Sequence, residues 1–544
     1  MTSIPESLRG LHSNISTTCT YTYLAPKQDI FKISLASSPT NLYFSITNGL
    51  FIIHTYLKNF FGDGVFTADG QAWKAKRTAV MHCLVKGTAS STSEMSQRLE
   101  REANRAADIF CCQIQLLKGQ QNRPISGHCS DYGGYVVSTN IVPLLQRATI
   151  GLIYRYITHT DPEWLLPTKI RDAETNDDKS NEPMKVIGKY ESVSNVTSSS
   201  EATRRSRSLL DSYLSSIIRI RMIILAQSRS VWFLLPRWCY TLFSSLYRDE
   251  ESTLGPIREF AKRACKDARP GSPLERLRDL GSLYISNTCP PTKRSQMLSF
   301  YHTNITNKNL LDEAITLLFA GQDTSAATLS WTLHLLSLHP KAQERVFKEV
   351  RDVLKIINQE FPSRSKDRKI FITRKEIKQL SFLDAVIKES MRLYPVAPFV
   401  VRHLVEKVNI PAENNDGIIS LPKGSQACLW IYGLHRNPKL WNNPDDFIPE
   451  RWLDINLKDP GQTNGGYMPF AFGARNCLGQ PLARVILRTI LAKLVLQYKF
   501  KDVRLRNEEN SIDLRKEMQA GFTVLPTGGV TLEIYSRIKE NQEY

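Results

Sequence analysis

The chain has 544 residues, 42% of them hydrophobic and 23% charged, a balance typical of a globular protein with a large core. The formal net charge of +18 favours an acidic protein, an anionic membrane surface or a nucleic acid as partner. Nucleic acid ranks last, because the sequence has neither zinc-finger spacing nor an aromatic-interleaved RNA-binding signature. The ten cysteines are scattered without a CxxC pair, which indicates a reduced compartment and argues against a disulfide framework.

The N-terminal segment, residues 1–60, is atypical. Its first forty residues are polar and rich in serine and threonine, and they show no signal peptide. Polar residues interrupt the apolar stretch from Leu42 to Phe61, so it falls short of a membrane span. A second stretch, Ile217 to Phe243, contains four arginines and is more typical of a segment that lies at a membrane interface.

Residues 61–540 are predicted to form a single domain, interrupted by a polar surface insertion at about 173–208. In the second half the helical patterns run over Leu310–His339, Lys341–Lys355, Leu383–Leu393 and Pro481–Tyr498. Thr373 and Glu376 form a capping box that opens a short helix. Short β-rich stretches lie at 399–402 and 418–422. The fold class is therefore mainly α with a minor β-sheet component (α+β).

Cys477 lies in a distinctive frame, Phe470-Ala-Phe-Gly473-Ala-Arg475-Asn-Cys477-Leu-Gly479, with no second cysteine at zinc or iron–sulfur spacing. A buried structural cysteine is the alternative for any single cysteine. In a glycine-rich loop, however, a lone thiolate suits axial ligation of a haem iron. Gly473 and Gly479 allow backbone to approach the macrocycle, Arg475 can neutralise a propionate, and Phe470 can pack under the ring.

Four further patterns precede this loop in a fixed order: Trp73-Lys-Ala-Lys-Arg77, Ala320-Gly-Gln-Asp-Thr324-Ser, Glu389-Ser-Met-Arg392 and Pro449-Glu-Arg451-Trp. Together with the cysteine loop, they resemble the cytochrome P-450 family of haem-thiolate monooxygenases, of the eukaryotic microsomal type. The match is firm from about 310 to 500 and weaker around 60 to 80. The resemblance implies the P-450 fold, with a long central helix over haem b.

The resemblance also implies roles for individual residues. Cys477 would bind the iron, and Glu389, Arg392 and Arg451 would form a buried clamp that holds the segment leading to the cysteine loop. Residues expected to contact the haem propionates are Trp73, Arg77, Arg402 and Arg475. Thr324 would hydrogen-bond iron-bound O₂, and Asp323 would connect it to solvent. The alternative for Thr324 is a hydroxyl bonded back to the preceding turn. We expect Gly321 to let the helix open locally.

The chain also departs from the family pattern. Ile486 stands where many members have an acidic residue, and the family's N-terminal anchor helix and proline-rich hinge are not evident. We therefore expect either peripheral binding to the cytosolic face of the endoplasmic reticulum membrane or a missing anchor.

The predicted function is insertion of one oxygen atom from O₂ into a C–H bond of a hydrophobic substrate, such as a fatty acid, sterol or other isoprenoid. No dinucleotide fingerprint or flavin domain is present, so electrons from NADPH would come through a separate flavoprotein reductase. The segment from Phe61 to Trp73 resembles branches that hydroxylate fatty acids near the chain end. Two alternatives remain: a haem-thiolate isomerase or dehydratase acting on peroxides, and a non-catalytic haem-binding protein.

Overall fold

The protein is described by a computed structural model. The described residues are 20–24, 30–34, 57–85, 93–118, 135–165, 201–228, 244–279, 307–360, 370–411, 417–453, 459–463, 465–506, 518–519, 523–526 and 528–537. Helices dominate these residues, and the strands form small antiparallel sheets. The predicted fold class is confirmed.

The α-helices are numbered here in chain order. They are α1 (Gly70–Val80), α2 (Glu94–Lys118), α3 (Ile141–Thr158), α4 (Glu201–Ser228), α5 (Ser245–Asp267), α6 (Asn307–Leu338), α7 (Pro340–Glu360), α8 (Arg374–Ile377), α9 (Ser381–Leu393), α10 (Ile431–Leu434), α11 (Pro460–Thr463) and α12 (Gln480–Gln497). Residues 57–61 and 273–279 are also helical, and a π-helical turn, Met81–Val85, follows α1.

The strands are β1 (Thr20–Leu24), β2 (Ile30–Ser34), β3 (Tyr135–Asn140), β4 (Val400–His403), β5 (Val408–Pro411), β6 (Ile418–Leu421), β7 (Gln426–Leu429), β8 (Tyr498–Asp502), β9 (Met518–Gln519), β10 (Leu525–Pro526) and β11 (Thr531–Ser536). The largest sheet among the described residues has three strands in the order β3–β11–β8. Strand β3 leads into α3, and β8 follows α12. Their pairing with β11 therefore brings the start of α3 and the end of α12 to the same sheet.

Helix α6 crosses the core and packs against α3, α5, α9 and α12. It is buried on nearly all sides, as expected of a helix surrounded by protein. Helix α7 follows α6 almost directly and begins with Pro340. Proline is suited to the first position of a helix, because the backbone N–H that it lacks would have no partner within the helix there. The predicted capping box of α8 is confirmed: the Thr373 amide donates to Glu376 Oε2 at 2.8 Å.

Two predictions about the middle of the chain need correction or restriction. The polar insertion was expected to extend to 208, but α4 begins at Glu201, so residues 201–208 are helical. Residues 166–200 lie outside the described residues. The stretch predicted to lie at a membrane interface is helical up to Ser228, and 229–243 lie outside the described part. Within that part of the chain, no helix combines the length and apolarity needed to cross a bilayer.

Candidate functional site

The cysteine loop is a tight irregular turn between α11 and α12. The backbone takes left-handed φ angles at Ala471 (56°) and Gly473 (80°), a conformation that glycine adopts without strain. The Cys477 amide donates to the Phe470 carbonyl at 2.9 Å and closes the loop. This geometry leaves the Cys477 side chain accessible, immediately before the first turn of α12.

Local electrostatics act on the Cys477 thiol in two directions. Although the side chain is accessible, the protein packed around the loop partly desolvates the sulfur and raises its pKa, while the amides of Gly479 and Gln480 and the guanidinium of Arg77 favour the thiolate. A Cβ added at Gly479 would stand 3.8 Å from Cys477 Sγ, an ordinary contact, so Gly479 is not required there for space. The amides aimed at the sulfur are therefore the clearer contribution of this turn.

The residues predicted to hold the propionates gather around the loop, although they come from distant parts of the chain. The Arg475 guanidinium lies 4.1 Å from the centroid of the Trp73 ring, and Arg77 lies 5.7 Å from it. Arg77 also donates to the Asn476 carbonyl at 2.9 Å, which ties α1 to the cysteine loop. Burial, and then repulsion by Arg475, lower the pKa of Arg402; Arg402 therefore belongs to the same cationic cluster.

These side chains fit a haem. A soft thiolate is a suitable axial ligand, and Arg77, Arg402 and Arg475 offer more positive charge than the single carboxylate of Asp69, which pairs with Arg475 at 3.0 Å. Two propionates would supply the remaining negative charge. Phe470 is half-buried beside the loop, where an aromatic ring can shield the sulfur from water.

Glu389, Arg392 and Arg451 come together as a buried network. Arg392 Nε and Nη2 each lie 2.9 Å from a Glu389 oxygen, and Arg451 Nε lies 3.1 Å from Glu389 Oε1. Glu389 also accepts hydrogen bonds from the Trp452 indole at 2.9 Å and the Ile448 amide at 3.0 Å. None of the three charged side chains is more than 3% exposed, so these bonds operate away from water.

A fourth charged member, Asp459, was not predicted from the sequence; it pairs with Arg451 and is also fully buried. Asp459 makes the network electrically neutral, with two carboxylates against two guanidiniums. Arg392 uses its remaining donors on the carbonyls of His435, Pro444 and Asp446. No local pattern pointed to Asp459, because its partner Arg451 lies eight residues earlier in another element.

His435 extends the network to the cysteine loop. Its Nε2 accepts the Met468 amide at 2.9 Å, so Nδ1, 3.2 Å from the Arg392 carbonyl, carries the proton. Burial, and then Arg392, lower the pKa of His435 to about 3. The imidazole therefore stays neutral and connects α9 to the start of the loop.

We expect His435 to make folding sensitive to acid. Its pKa is about 3 in the folded protein, against 6.5 as the ordinary value, so the unfolded chain takes up this proton first as pH falls. Between pH 7 and pH 5 the wild type should lose about 2 kcal/mol more unfolding free energy than His435→Gln, which cannot titrate. Urea unfolding of both proteins at the two pH values measures the difference. Equal losses would refute this assignment.

The central helix presents a narrow accessible stripe. From 312 to 337, only Leu317, Ala320, Gly321 and Thr324 are not buried, and their spacing of three or four residues places them on one face. Thr324 Oγ1 donates to the Ala320 carbonyl at 2.7 Å, the back-bond considered as the alternative from sequence. The hydroxyl is therefore satisfied and still lies at the accessible face.

Asp323 points away from this stripe, and here the expectation of a connection to solvent is not met. The carboxylate is fully buried; it pairs with Arg221 of α4 and accepts a hydrogen bond from Thr523. A step of one residue turns a helix by about 100°, so neighbouring side chains face different surroundings. Arg221 and Thr523 were missed because they lie about a hundred and two hundred residues away in sequence.

Gly321 also serves a different purpose from the one expected. Helix α6 is continuous through this position, so no local opening is present. A Cβ at Gly321 would lie 2.7 Å from Ile153 Cδ1, closer than packing allows. The glycine therefore permits the close crossing of α3 and α6, and Thr149 of α3 donates to the Gln322 carbonyl at 3.2 Å.

Comparison with known proteins gives the family. A sequence model described as "Cytochrome P450" matches residues 174–529. The chain is 33% identical to cytochrome P450 4c3 of Drosophila melanogaster over 206 residues, which are 38% of this chain and 35% of that protein. It is 36% identical to cytochrome P450 4F12 of Homo sapiens over 196 residues, covering 36% and 34%. With cytochrome P450 4V2 of Rattus norvegicus, the identity is 28% over 303 residues, covering 54% and 53%.

The chain thus spans from about a third to about half of the length of these relatives. The family model covers well over half of the chain and includes the long helix, the clamp and the cysteine loop. Members of this family bind haem b through a cysteine thiolate, the ligand type that Cys477 provides. The chain belongs to the cytochrome P450 family.

Proposed function

We propose that this protein is a monooxygenase that inserts one atom of O₂ into a C–H bond of a hydrophobic substrate. The observation that carries the proposal is the meeting of an accessible Cys477 with Trp73, Arg77, Arg402 and Arg475. Haem b, when bound, supplies the redox chemistry that activates O₂. The protein would bind and orient the group: Cys477 would provide the thiolate ligand, and the arginines would balance the carboxylates.

The proposal assigns proton handling to α6. Thr324 lies on the accessible stripe, and its hydroxyl can exchange the Ala320 carbonyl for a ligand in the same space. Asp323 is fully buried, where Arg221 and Thr523 hold its carboxylate. We infer that the proton does not reach Thr324 through an open channel at Asp323. It arrives after other groups replace the contact between Asp323 and Arg221.

We further propose a long-chain fatty acid as substrate. The accessible face of Leu317 and Ala320 is apolar, and Phe66, 48% exposed, packs beside Phe61 with ring centroids 5.1 Å apart. Phe61 in turn contacts Phe319 of α6 at 5.4 Å. Such surfaces favour an extended apolar ligand. The resemblance of residues 61–73 to fatty-acid hydroxylases supports the same class.

Electrons are proposed to come from NADPH through a separate flavoprotein reductase. The net charge of +18 favours an acidic partner, and exposed Arg484 lies on α12 close to the cysteine loop. The same charge favours contact with anionic lipid at the endoplasmic reticulum. The positive charge would thus attract both the reductase and the membrane, and each would contact a different face of the protein.

The decisive experiment compares Cys477→Ser with Cys265→Ser, a half-buried cysteine of α5. The wild type and Cys265→Ser should show the carbon monoxide difference band of thiolate-ligated haem, and Cys477→Ser should lose it. Fatty acids should shift the spin state of the wild type, and product should form only with NADPH and reductase. Product formed from a peroxide without NADPH would support the isomerase alternative instead. An unchanged band in Cys477→Ser would overturn the proposal.

Thr324→Ala is expected to uncouple the reaction, because a hydroxyl at the accessible face of α6 is lost. Peroxide released per NADPH consumed should rise several-fold while NADPH oxidation continues. Thr328→Ala is the matched control: its hydroxyl makes the same kind of back-bond, 2.9 Å to the Thr324 carbonyl, but it is buried. Similar coupling in both variants would remove Thr324 from the proposed role.

A further inference from the structure

The C-terminal end of α3 meets two other segments on the side of the molecule formed by α2. His159 caps α3 with a left-handed φ of 55°. The Arg269 amide donates to the Thr158 carbonyl at 2.9 Å, which brings the following helical residues, 273–279, to this point. Asp161, two residues after the cap, pairs with Arg105 of α2 at 2.5 Å. The three segments are thus held together around His159.

Arginines are in excess here. Arg98 and Arg101 lie one turn apart on α2, and Arg276 lies on the 273–279 helix. Three acids of this region are already paired with other arginines: Glu100 with Arg374 at 3.4 Å, Glu102 with Arg155 at 2.6 Å and Asp161 with Arg105 at 2.5 Å. Within the part of the chain that the structure describes, the guanidiniums of Arg98, Arg101 and Arg276 have neither an ion pair nor a side-chain hydrogen bond.

Two nitrogen atoms of this cluster are both buried and without a hydrogen-bond partner, Arg98 Nε and His159 Nε2. A buried donor left unpaired costs about 1–3 kcal/mol, so an occupant that accepts from it is favoured. The arginines also act on His159: burial, then Arg98, Arg276 and Arg101, lower its pKa to about 4. The imidazole is thus neutral and adds no positive charge to that of the three guanidiniums.

We propose that Arg98, Arg101, His159 and Arg276 form a binding site for a phosphate group. Guanidinium groups match phosphate oxygens with paired N–H donors, and three of them balance a dianion better than a single carboxylate would. Arg101 is exposed, and Arg98 and Arg276 are half-buried, so an anion can enter from solvent. Neutral His159 can complete the site as a donor through Nε2. The site is independent of the proposed oxygenation chemistry.

The test is a titration of the haem-loaded protein with inorganic phosphate at constant ionic strength, with chloride as the reference, followed by calorimetry and thermal unfolding. Phosphate should bind saturably and raise the melting temperature. The double variant Arg98→Gln/Arg276→Gln should bind at least about tenfold more weakly, equivalent to about 1.4 kcal/mol. Arg258→Gln, which removes an exposed arginine of α5, should bind like the wild type.

A second arm identifies the source of the phosphate. Vesicles of phosphatidylcholine, with and without phosphatidic acid, are sedimented with the wild type and with Arg98→Lys. Arg98→Lys keeps the positive charge and the fold, so it tests the site even if the double variant does not fold. Selective binding to phosphatidic acid, weakened in Arg98→Lys, assigns a lipid headgroup. Phosphate binding without that selectivity assigns a free phosphate. Equal phosphate affinity in the wild type and the arginine variants would overturn the site.

Discussion

Glu389→Ala is expected to yield protein that does not retain haem and whose folded state is about 3–5 kcal/mol less stable. Glu389 accepts hydrogen bonds from Arg392, Arg451, Trp452 and the Ile448 amide. Its removal would leave two guanidiniums in a fully buried site with one carboxylate, Asp459. The segment leading to the cysteine loop would then lose its attachment to α9. Haem content, Soret absorbance and urea unfolding measure these effects.

The matched control is Glu450→Ala, in the same short 3₁₀ turn as Arg451. Glu450 pairs with Arg345 at 2.9 Å, but both side chains are about half exposed, so the loss should stay below about 1 kcal/mol. Asp459→Asn should fall between the two, because Arg451 keeps its bond to Glu389. A normal Soret spectrum and normal stability in Glu389→Ala would reject the clamp role.

Arg221→Met is the second change for which we expect a large effect. It leaves the Asp323 carboxylate, which is fully buried, without its cation, at an expected cost of about 3–5 kcal/mol. Adding Asp323→Asn removes the unpaired charge, and the double variant should recover most of the lost stability. The coupling energy from this double-mutant cycle measures the pair directly. The cycle requires only unfolding curves of the wild type, Arg221→Met, Asp323→Asn and the double variant.

Arg219→Met is the control on the same helix. Arg219 is exposed and pairs with exposed Asp249 at 3.2 Å, so its replacement should change the unfolding free energy by no more than about 1 kcal/mol. If the losses from Arg221→Met and Asp323→Asn simply added, the pair would carry no coupling. The assignment of Arg221 and Asp323 as an interacting buried pair would then fail.

Local patterns predicted those features that depend on neighbours in sequence. The capping box of α8 joins residues three positions apart, and the structure has it as expected. Helix α6 was predicted from a long run without proline, and its observed bounds, Asn307–Leu338, differ from the prediction by a few residues. The error at 201–208 has the same origin: polar composition indicated a loop, but these residues form the first turns of α4.

Position 321 shows where such reasoning stops. A glycine before an acid and a threonine suggested an opened helix, yet the contact that requires glycine is with Ile153 of α3. Asp459, His435, Arg221 and Thr523 were likewise not predicted, because each acts through a partner in another element. Such contacts have no period in sequence, and only the packing of helices defines them.

The sequence by itself determined the family and the mainly helical fold class, and it predicted the thiolate ligand, because a ten-residue frame around Cys477 carries that pattern locally. The tertiary structure alone decided which charges are paired: Asp459 neutralises the clamp, and Arg221 holds Asp323. Beside His159, the Nε of Arg98 is buried without a hydrogen-bond partner among the described residues. The physical reason is that the energy of a charge depends on its burial and on its spatial neighbours, and both arise only when distant segments pack.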